Sequence, residues 1–500
     1  MSGPARRRLL PLVLLLTLVG CALRAFHMNA QNLWFDEIGS ARVATMPVAD
    51  LVRGAEAGDD RLVEPTAWLS TAYYAVVKWV LLVPHDSPDG LLRLTSVALG
   101  TATIPALAWT TTPLLPAGAV AATTALLAIS PFHVWYSQEV RPYALLVLVG
   151  VLAMGAYVRA LATNRIGWWV LVTFLVTVAL YTHPIGLALP AIAGLGLLVT
   201  AATSTRRVFP GSAALAAAGV AYLPLVSWIG KHGANHPADL RPMGLLDVPY
   251  AFFAYALGFS FGPSTTDLHA GTIAPLLAQL PLVVCAGVVF GALAIRGALA
   301  TRTVAPVLRV VVFGWLVIPL FLAVVVAIGS TNPFNVRYAI LSFPPFLILL
   351  GLGAAAERPF RLLAVAAAAL SFASLSNLYF DPRYAKEDCR GLAATLRAEA
   401  TAADLVVVNA SYMADAVSYY YPGPATVIGY PPASRGPLEL APTSADMARL
   451  SADRPHVWLV ETRTFHGDAT GTLRKALGAT REVDRRIELH GVVAERYTSQ

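Results

Sequence analysis

Residues 66–84 read TAWLSTAYYAVVKWVLLVP, and the assignment of this stretch decides the architecture of the chain. Its length is close to the ~20 residues that carry a helix across a bilayer. Yet Thr66, Ser70, Tyr74 and Lys78 recur every four residues, a polar stripe on one helix face. Parity adds a second argument. The other apolar runs read as eleven spans, at 8–26, 92–110, 118–131, 143–161, 167–183, 184–203, 209–229, 272–295, 308–329, 338–356 and 361–379. With the N-terminus in the cytoplasm, the cytoplasmic loops carry Arg159 and Arg165, Arg206 and Arg207, Arg296, Arg302 and Arg309, and Arg358 and Arg361. That is the positive-inside pattern. A further span at 66–84 would invert every later loop. The stretch therefore reads as an interfacial helix on the outer leaflet, inside a first outer loop of residues 27–91. The aromatic run Tyr250, Phe252, Phe253, Tyr255, Phe259 and Phe261 reads as a second interfacial element. The turn near 111–117 carries no charge and supports the arrangement least.

Composition agrees. The chain has 500 residues, 57% hydrophobic and 13% charged, against about 25% charged in soluble proteins. The net charge of +7 is no nucleic-acid footprint, because many of the arginines lie between apolar runs. Lysine occurs only at Lys78, Lys231, Lys386 and Lys475. Cys21, Cys285 and Cys389 are too scattered for a disulfide framework or a cysteine metal site. Leu18-Val19-Gly20-Cys21 resembles a lipoprotein cleavage box, but the start reads as an uncleaved first span.

After Phe380 the composition turns polar. Residues 387–399 read as a helix, 404–409 and 456–461 as strands, and 482–497 alternates like strands. The expected fold is thus a polytopic α-helical membrane domain, 1–380, followed by a small extracytoplasmic α/β domain, 381–500. That domain has no recognisable glycine-rich phosphate loop, and reads as a structural or acceptor-docking module.

The topology gathers polar clusters at the outer face. Asn32-Leu-Trp-Phe-Asp-Glu37 sets two carboxylates beside two aromatics, a candidate general base or metal ligand at a membrane surface. Its plainer reading makes Asp36 a helix N-cap. Ser130-Pro-Phe-His-Val-Trp-Tyr-Ser-Gln-Glu-Val-Arg-Pro-Tyr143 is very polar for a membrane loop, and its Arg141 lies outside against the charge trend. A cation kept there suits a lipid phosphate; an ion pair with Glu139 is the alternative. Tyr181-Thr-His-Pro184 occupies the next outer turn. Arg337, in Asn332-Pro-Phe-Asn-Val-Arg-Tyr338, is a second outer arginine. Lys231 is a third, less specific cation. Carboxylates in one stretch and outer arginines in two others suit transfer from a lipid phosphate: arginines stabilise the departing phosphate and a carboxylate takes the acceptor proton.

The Trp34-x-Asp36-Glu37 stretch, the Ser130–Tyr143 loop, Tyr181-Thr182-His183 and Arg337-Tyr338 resemble membrane glycosyltransferases of the GT-C superfamily. The likeness is to the protein O-mannosyltransferase, aminoarabinose transferase and rhizobial galacturonosyltransferase type. It covers residues 1–380; the tail matches more loosely through Glu387-Asp388-Cys389-Arg390-Gly391. Ser137-Gln138-Glu139-x-Arg141-x-Tyr143 is its most specific string. The resemblance implies inverting transfer from a polyprenyl-monophosphate sugar to an envelope glycan, lipid or protein on the outer face of a bacterial plasma membrane. It implies Asp36 as catalytic base with Glu37 beside it. The phosphate would meet Arg141, Arg337 and Lys231, and substrate would meet Tyr136, Gln138, Glu139, Tyr143, His183 and Tyr338. Some relatives use a divalent metal, for which Glu37, Glu64, His133 and Glu139 are the candidate ligands. Where relatives carry His-Pro-Pro or Lys-Pro-Pro, this chain has Glu64-Pro65-Thr66. The rival readings are a transporter or flippase of a lipid-linked saccharide, a polysaccharide polymerase, and a non-catalytic sugar-lipid binder. Transporters place ionisable groups near the bilayer midplane, whereas here the expected spans are nearly free of charge.

Overall fold

A computed structural model describes residues 3–47, 70–82, 88–202, 204–232, 243–264, 267–268, 274–303, 306–329, 334–430, 444–464, 468 and 470–499. The chain divides into two compact units. One comprises Met1–Met28, Val43–Ala234 and Leu240–Asp381; the other comprises Asn29–Arg42, Asn235–Asp239 and Pro382–Gln500.

The first unit is helical. Among the described residues, eight helices are long and apolar enough to cross a membrane. They include α4 (Pro88–Thr111), α7 (Tyr143–Thr163), α10 (Thr205–His232), α12 (Ala274–Ala300), α13 (Pro306–Gly329) and α15 (Arg358–Phe380). The other two are each continued from a short 3-10 turn: Pro184–Leu187 into α9 (Ala188–Ala201), and Val336–Ser342 into α14 (Phe343–Ala354). A broken pair, α5 (Ala117–Ala128) and α6 (Pro131–Ser137), bends by 53° and passes the same test as one span. Two shorter apolar helices, α1 (Gly3–Ala25) and α8 (Ile166–Leu180), stand where the remaining spans were expected.

The break between α5 and α6 has a local cause. Pro131 has no N–H and keeps the residue before it out of the helical region. Ser130 is accordingly extended (φ −66°, ψ 118°), and its hydroxyl accepts the N–H of His133 at 3.2 Å. The carbonyls freed at the end of α5 need donors, since hydrocarbon supplies none. Arg24, wholly buried at the end of α1, provides them. Its guanidinium donates to Leu127 O and Ala128 O at 3.0 Å each, to Gly20 O at 2.8 Å and to His133 Nδ1 at 2.9 Å.

Helices α12 and α14 meet backbone to backbone. A Cβ added at Gly297 would run into the carbonyl of Leu349, and one at Gly353 into that of Leu293. Small residues permit such approach where lipid offers no hydrophobic drive for packing.

The two elements read as interfacial are both short helices. Within 66–84 the described helix is α3 (Thr71–Val80), about 15 Å long at 1.5 Å per residue, well short of a ~30 Å hydrocarbon core. Its polar stripe does not face water. Ser70 and Tyr74 are buried with Tyr73 and Val77, Lys78 donates to the carbonyls of Ala44 and Met46, and Thr71, Ala75 and Trp79 are exposed. Polar groups turn inward because the facing chain offers them acceptors. Thr66 lies outside the described residues. The second expected interfacial element is α11 (Asp247–Leu257), and one face of it is core. Tyr255 packs on the rings of Phe132 and Phe343 and donates to Ala339 O at 2.6 Å.

The second unit is built on a five-stranded sheet of order β2-β1-β3-β5-β4. Its strands are β1 (Leu405–Asn409), β2 (Thr426–Gly429), β3 (His456–Glu461), β4 (Arg481–Leu489) and β5 (Val492–Ser499). β2, β1 and β3 run parallel, while β5 and β4 are antiparallel. Leu405, Val407, Val457 and Leu459 form one buried face with Met447, Leu473 and Leu477 from the helices α18 (Ser444–Ser451) and α19 (Thr472–Gly478). On α16 (Cys389–Glu399), Cys389, Leu392, Ala393 and Leu396 are buried, while Asp388 caps the helix by accepting Gly391 N–H at 2.7 Å. β4 is mostly exposed and charged, as suits an edge strand. The unit also holds the start of α2 (Phe35–Thr45).

Candidate functional site

In the helical unit the candidate residues come from helix starts. Three of these restarts carry a polar cap, while α7 starts after Pro142 without a side-chain cap. Ser130 caps α6; His183 Nδ1 accepts Ile185 N–H at 3.2 Å before Pro184; Asn335 Oδ1 accepts Arg337 N–H at 3.1 Å. These turns bring six expected residues together. The ring of His183 lies 5.6 Å from that of Tyr143 and 6.0 Å from that of Tyr338, and Tyr136 stacks edge-on against Tyr143 at 5.2 Å. Both Arg141 and Arg337 act on His183. Its burial, with the charges of Arg141 and then Arg337 adding to the effect, pushes the imidazole down to about 3. His183 is therefore neutral at neutral pH. The two guanidiniums are the positive charge of the cluster. Tyr136 also feels the charges of Glu139 and Arg337. Arg141 and Glu139 are buried, while Arg337 and Tyr338 are half-buried.

Two expected residues have other duties. Gln138 Nε2 donates to Arg24 O at 2.9 Å and to Phe26 O at 2.8 Å, tying the end of α1 to the loop after α6. That commits its amide nitrogen to backbone. His133 is buried, receives the Arg24 guanidinium, and stacks on Phe343 at 5.9 Å. Its Nδ1 lone pair is thereby used as a hydrogen-bond acceptor. The Lys231 side chain and Glu64 lie outside the described residues.

In the sheet unit, Asp36 and Glu37 form the first turn of α2, where the helix dipole favours carboxylates. Asp36 is not the cap. Glu37 Oε2 reaches back to accept Trp34 N–H at 3.2 Å, the reciprocal half of a capping box. The same oxygen accepts from Lys386 Nζ at 2.8 Å. Glu37 is fully buried and Lys386 nearly so, hence breaking the pair would strand a charge. Asp36 is 7% exposed. The Trp34 ring faces Lys386 at 6.0 Å and Arg463 at 5.5 Å, and Arg463 is ion-paired to Glu387 at 2.5 Å. Leu33 N–H donates to Tyr420 Oη at 2.7 Å and Phe35 packs on Tyr412 at 4.9 Å. Among the described residues, no group of three or more His, Cys, Asp or Glu side chains is placed to hold a metal. Glu37, one candidate, is held by Lys386 and Trp34.

Sequence reading missed Arg24 and Lys386. Arg24 fell inside the expected span 8–26 and was given no role. Lys386 begins the Glu387–Gly391 string but was given no role; a rare lysine beside that string was the available signal.

No family model matches the chain, and no curated protein matches it. Solved structures do. The chain is similar over 97% of its length to 97% of ArnT from Cupriavidus metallidurans bound to undecaprenyl phosphate, at 14% identity and a TM-score of 0.55. All of it aligns with 75% of the archaeal oligosaccharyltransferase AglB from Archaeoglobus fulgidus, in complex with an inhibitory peptide and a dolichol-phosphate, at 12% identity and a TM-score of 0.54. It also spans 40% of the arabinofuranosyltransferase AftD from mycobacteria, at 14% identity and a TM-score of 0.50. These neighbours are GT-C glycosyltransferases, and the chain has their fold.

Proposed function

We propose that this chain is a glycosyltransferase moving a sugar from a polyprenyl-monophosphate carrier to an acceptor on the outer face of a bacterial plasma membrane. The observation that carries the reading is the cluster of Arg141, Arg337 and neutral His183 at helix restarts of an apolar bundle. Two arginines there offer charge-assisted hydrogen bonds to a phosphate, and a histidine that stays uncharged keeps a hydrogen-bonding group without adding charge. The fold supports it, since two neighbours hold a polyprenyl phosphate or a dolichol-phosphate. The N-terminus is then cytoplasmic and the sheet unit extracytoplasmic, with chain boundaries near 380.

The chemistry is one displacement. The acceptor hydroxyl attacks the anomeric carbon as the carbon–oxygen bond to phosphate breaks, which inverts that centre. Asp36 takes the hydroxyl proton. The lipid phosphate leaves with the bonding electrons, and Arg141 and Arg337 stabilise its growing charge. Glu37 acts through structure: paired with Lys386, it fixes the first turn of α2 that carries Asp36. Tyr136, Tyr143 and Tyr338 line the sugar and phosphate, and Gln138 holds their loop to α1. The acceptor is an envelope glycan, lipid or protein. Purified protein in lipid nanodiscs, given polyprenyl-phosphate sugars, tests the reading. Transfer of sugar with release of polyprenyl phosphate supports it; movement of the intact donor between leaflets without transfer replaces it with a flippase.

A further inference from the structure

The arginine-rich end of the bundle contains a cavity of about 480 Å³. This lies within the ~300–1,000 Å³ range of small-ligand sites. Pro113, Leu114 and Pro116 line one side; Leu308 and Leu352 line others; Arg296 is the charged member of the lining. The uncharged turn at 111–117 therefore has a physical reason: it is the apolar wall of a cavity. Another wall is stiff, because α12 and α14 are in backbone contact at Gly297 and Gly353.

Arginines flank the lining residues along the chain. Arg302 lies two residues beyond the lining residue Ala300, and Arg309 follows the lining residue Leu308. Arg358 and Arg361 open α15 just past the lining residues Ala355 and Ala356, and Arg361 Nε donates to Ala356 O at 3.1 Å. Across segments 111–117, 296–309 and 355–361, these five arginines face one acid, Glu357, which is ion-paired with Arg296. The remaining positive charge is thus set around an apolar hole between membrane helices.

We infer that this cavity binds an anionic phospholipid, with its glycerol and first acyl carbons against the Pro113–Pro116 wall and its phosphate among Arg302, Arg309 and Arg358. Basic pockets between membrane helices suit such head groups. A free phosphate gains nothing from proline and leucine walls. A zwitterionic lipid brings its own cation, which the arginines repel. The site is separate from the transfer residues and stands whether or not the chain transfers sugar.

The test uses the purified full-length protein and native mass spectrometry. Phosphatidylglycerol is titrated against phosphatidylcholine, with inorganic phosphate as competitor. Wild type should retain phosphatidylglycerol at least ~10-fold more tightly than phosphatidylcholine, the effect of about one charge-assisted hydrogen bond. Arg302→Gln with Arg309→Gln should lower that affinity ~10-fold or more. Ala355→Trp should displace the lipid by filling the cavity without altering charge. Thermal melts report whether each variant folds; where the tryptophan variant does not, the double glutamine variant, which fills no space, still decides the question. Equal retention of the two lipids, displacement by millimolar phosphate, or unchanged affinity in the folded variants would each overturn the inference.

Discussion

Single residues divide into those that touch chemistry and those that hold them. Asp36→Asn keeps size and hydrogen bonding but removes the base. Transfer should fall at least ~100-fold, the low end of general-base contributions, with donor binding kept; single-turnover assays in nanodiscs separate the two, and near-normal transfer would remove Asp36 from the role. Arg141→Ala and Arg337→Ala should each weaken donor use by about one to two orders of magnitude, from ~1.5–3 kcal/mol per charged hydrogen bond. Donor titrations check this; unchanged affinity in both would move the phosphate elsewhere. His183 supplies a pH test. Its folded proton affinity is depressed to about 3 by burial and the two arginines, while the unfolded value is near 6.5. Below about pH 6.5 the unfolded chain takes up a proton that the folded chain refuses, so stability falls as pH drops from there towards 3. Melting temperatures from pH 7.5 to 5 should decline in wild type and decline less in His183→Gln. Arg141, Arg337 and His183 were legible in sequence because each interrupts an apolar pattern beside a turn signal. Arg24 and Lys386 were not: their partners lie 103–109 and 349 residues away, and no local pattern carries that distance.

At the scale of elements, sequence showed spans well and faces poorly. Every apolar run became a helix, and the strands at Leu405–Asn409 and His456–Glu461 fall almost where alternation and β-branched runs put them. β2 was missed, because Thr426–Gly429 is a short strand ending in glycine. The stripe on α3 was legible as a stripe, but periodicity locates a face without saying what covers it, and Ser70 and Tyr74 are buried. The α12–α14 contact predicts its own sensitivity. Gly353→Ala places a methyl against the Leu293 carbonyl, so the helices must separate, at about 1–3 kcal/mol as in other overpacked interiors. Thermal unfolding in detergent measures this, and Gly287→Ala, which meets nothing within 4 Å, is the control; equal effects would mean that the contact is slack.

For the whole molecule, the decisive expectation is handedness in the membrane. A reporter fused after Pro382 should read as extracytoplasmic and one at Arg207 as cytoplasmic; a cytoplasmic reading at Pro382 would demand another span and reassign the active face. The order in which the molecule is made brings out a demand that its finished form conceals. Arg24 belongs to α1, but the Leu127 and Ala128 carbonyls and the His133 imidazole that receive it are synthesised more than a hundred residues later. At roughly 5–20 residues per second that interval is on the order of 5–20 s. A lone guanidinium resists the bilayer interior and reaches for the interface meanwhile. The hydrogen bonds that bury this charge in the finished α1 therefore form only when α5 and α6 arrive to receive it. The kink at Pro131 is then a receptor for α1 during biogenesis, and insertion of the chain cannot be finished helix by helix in the order of translation.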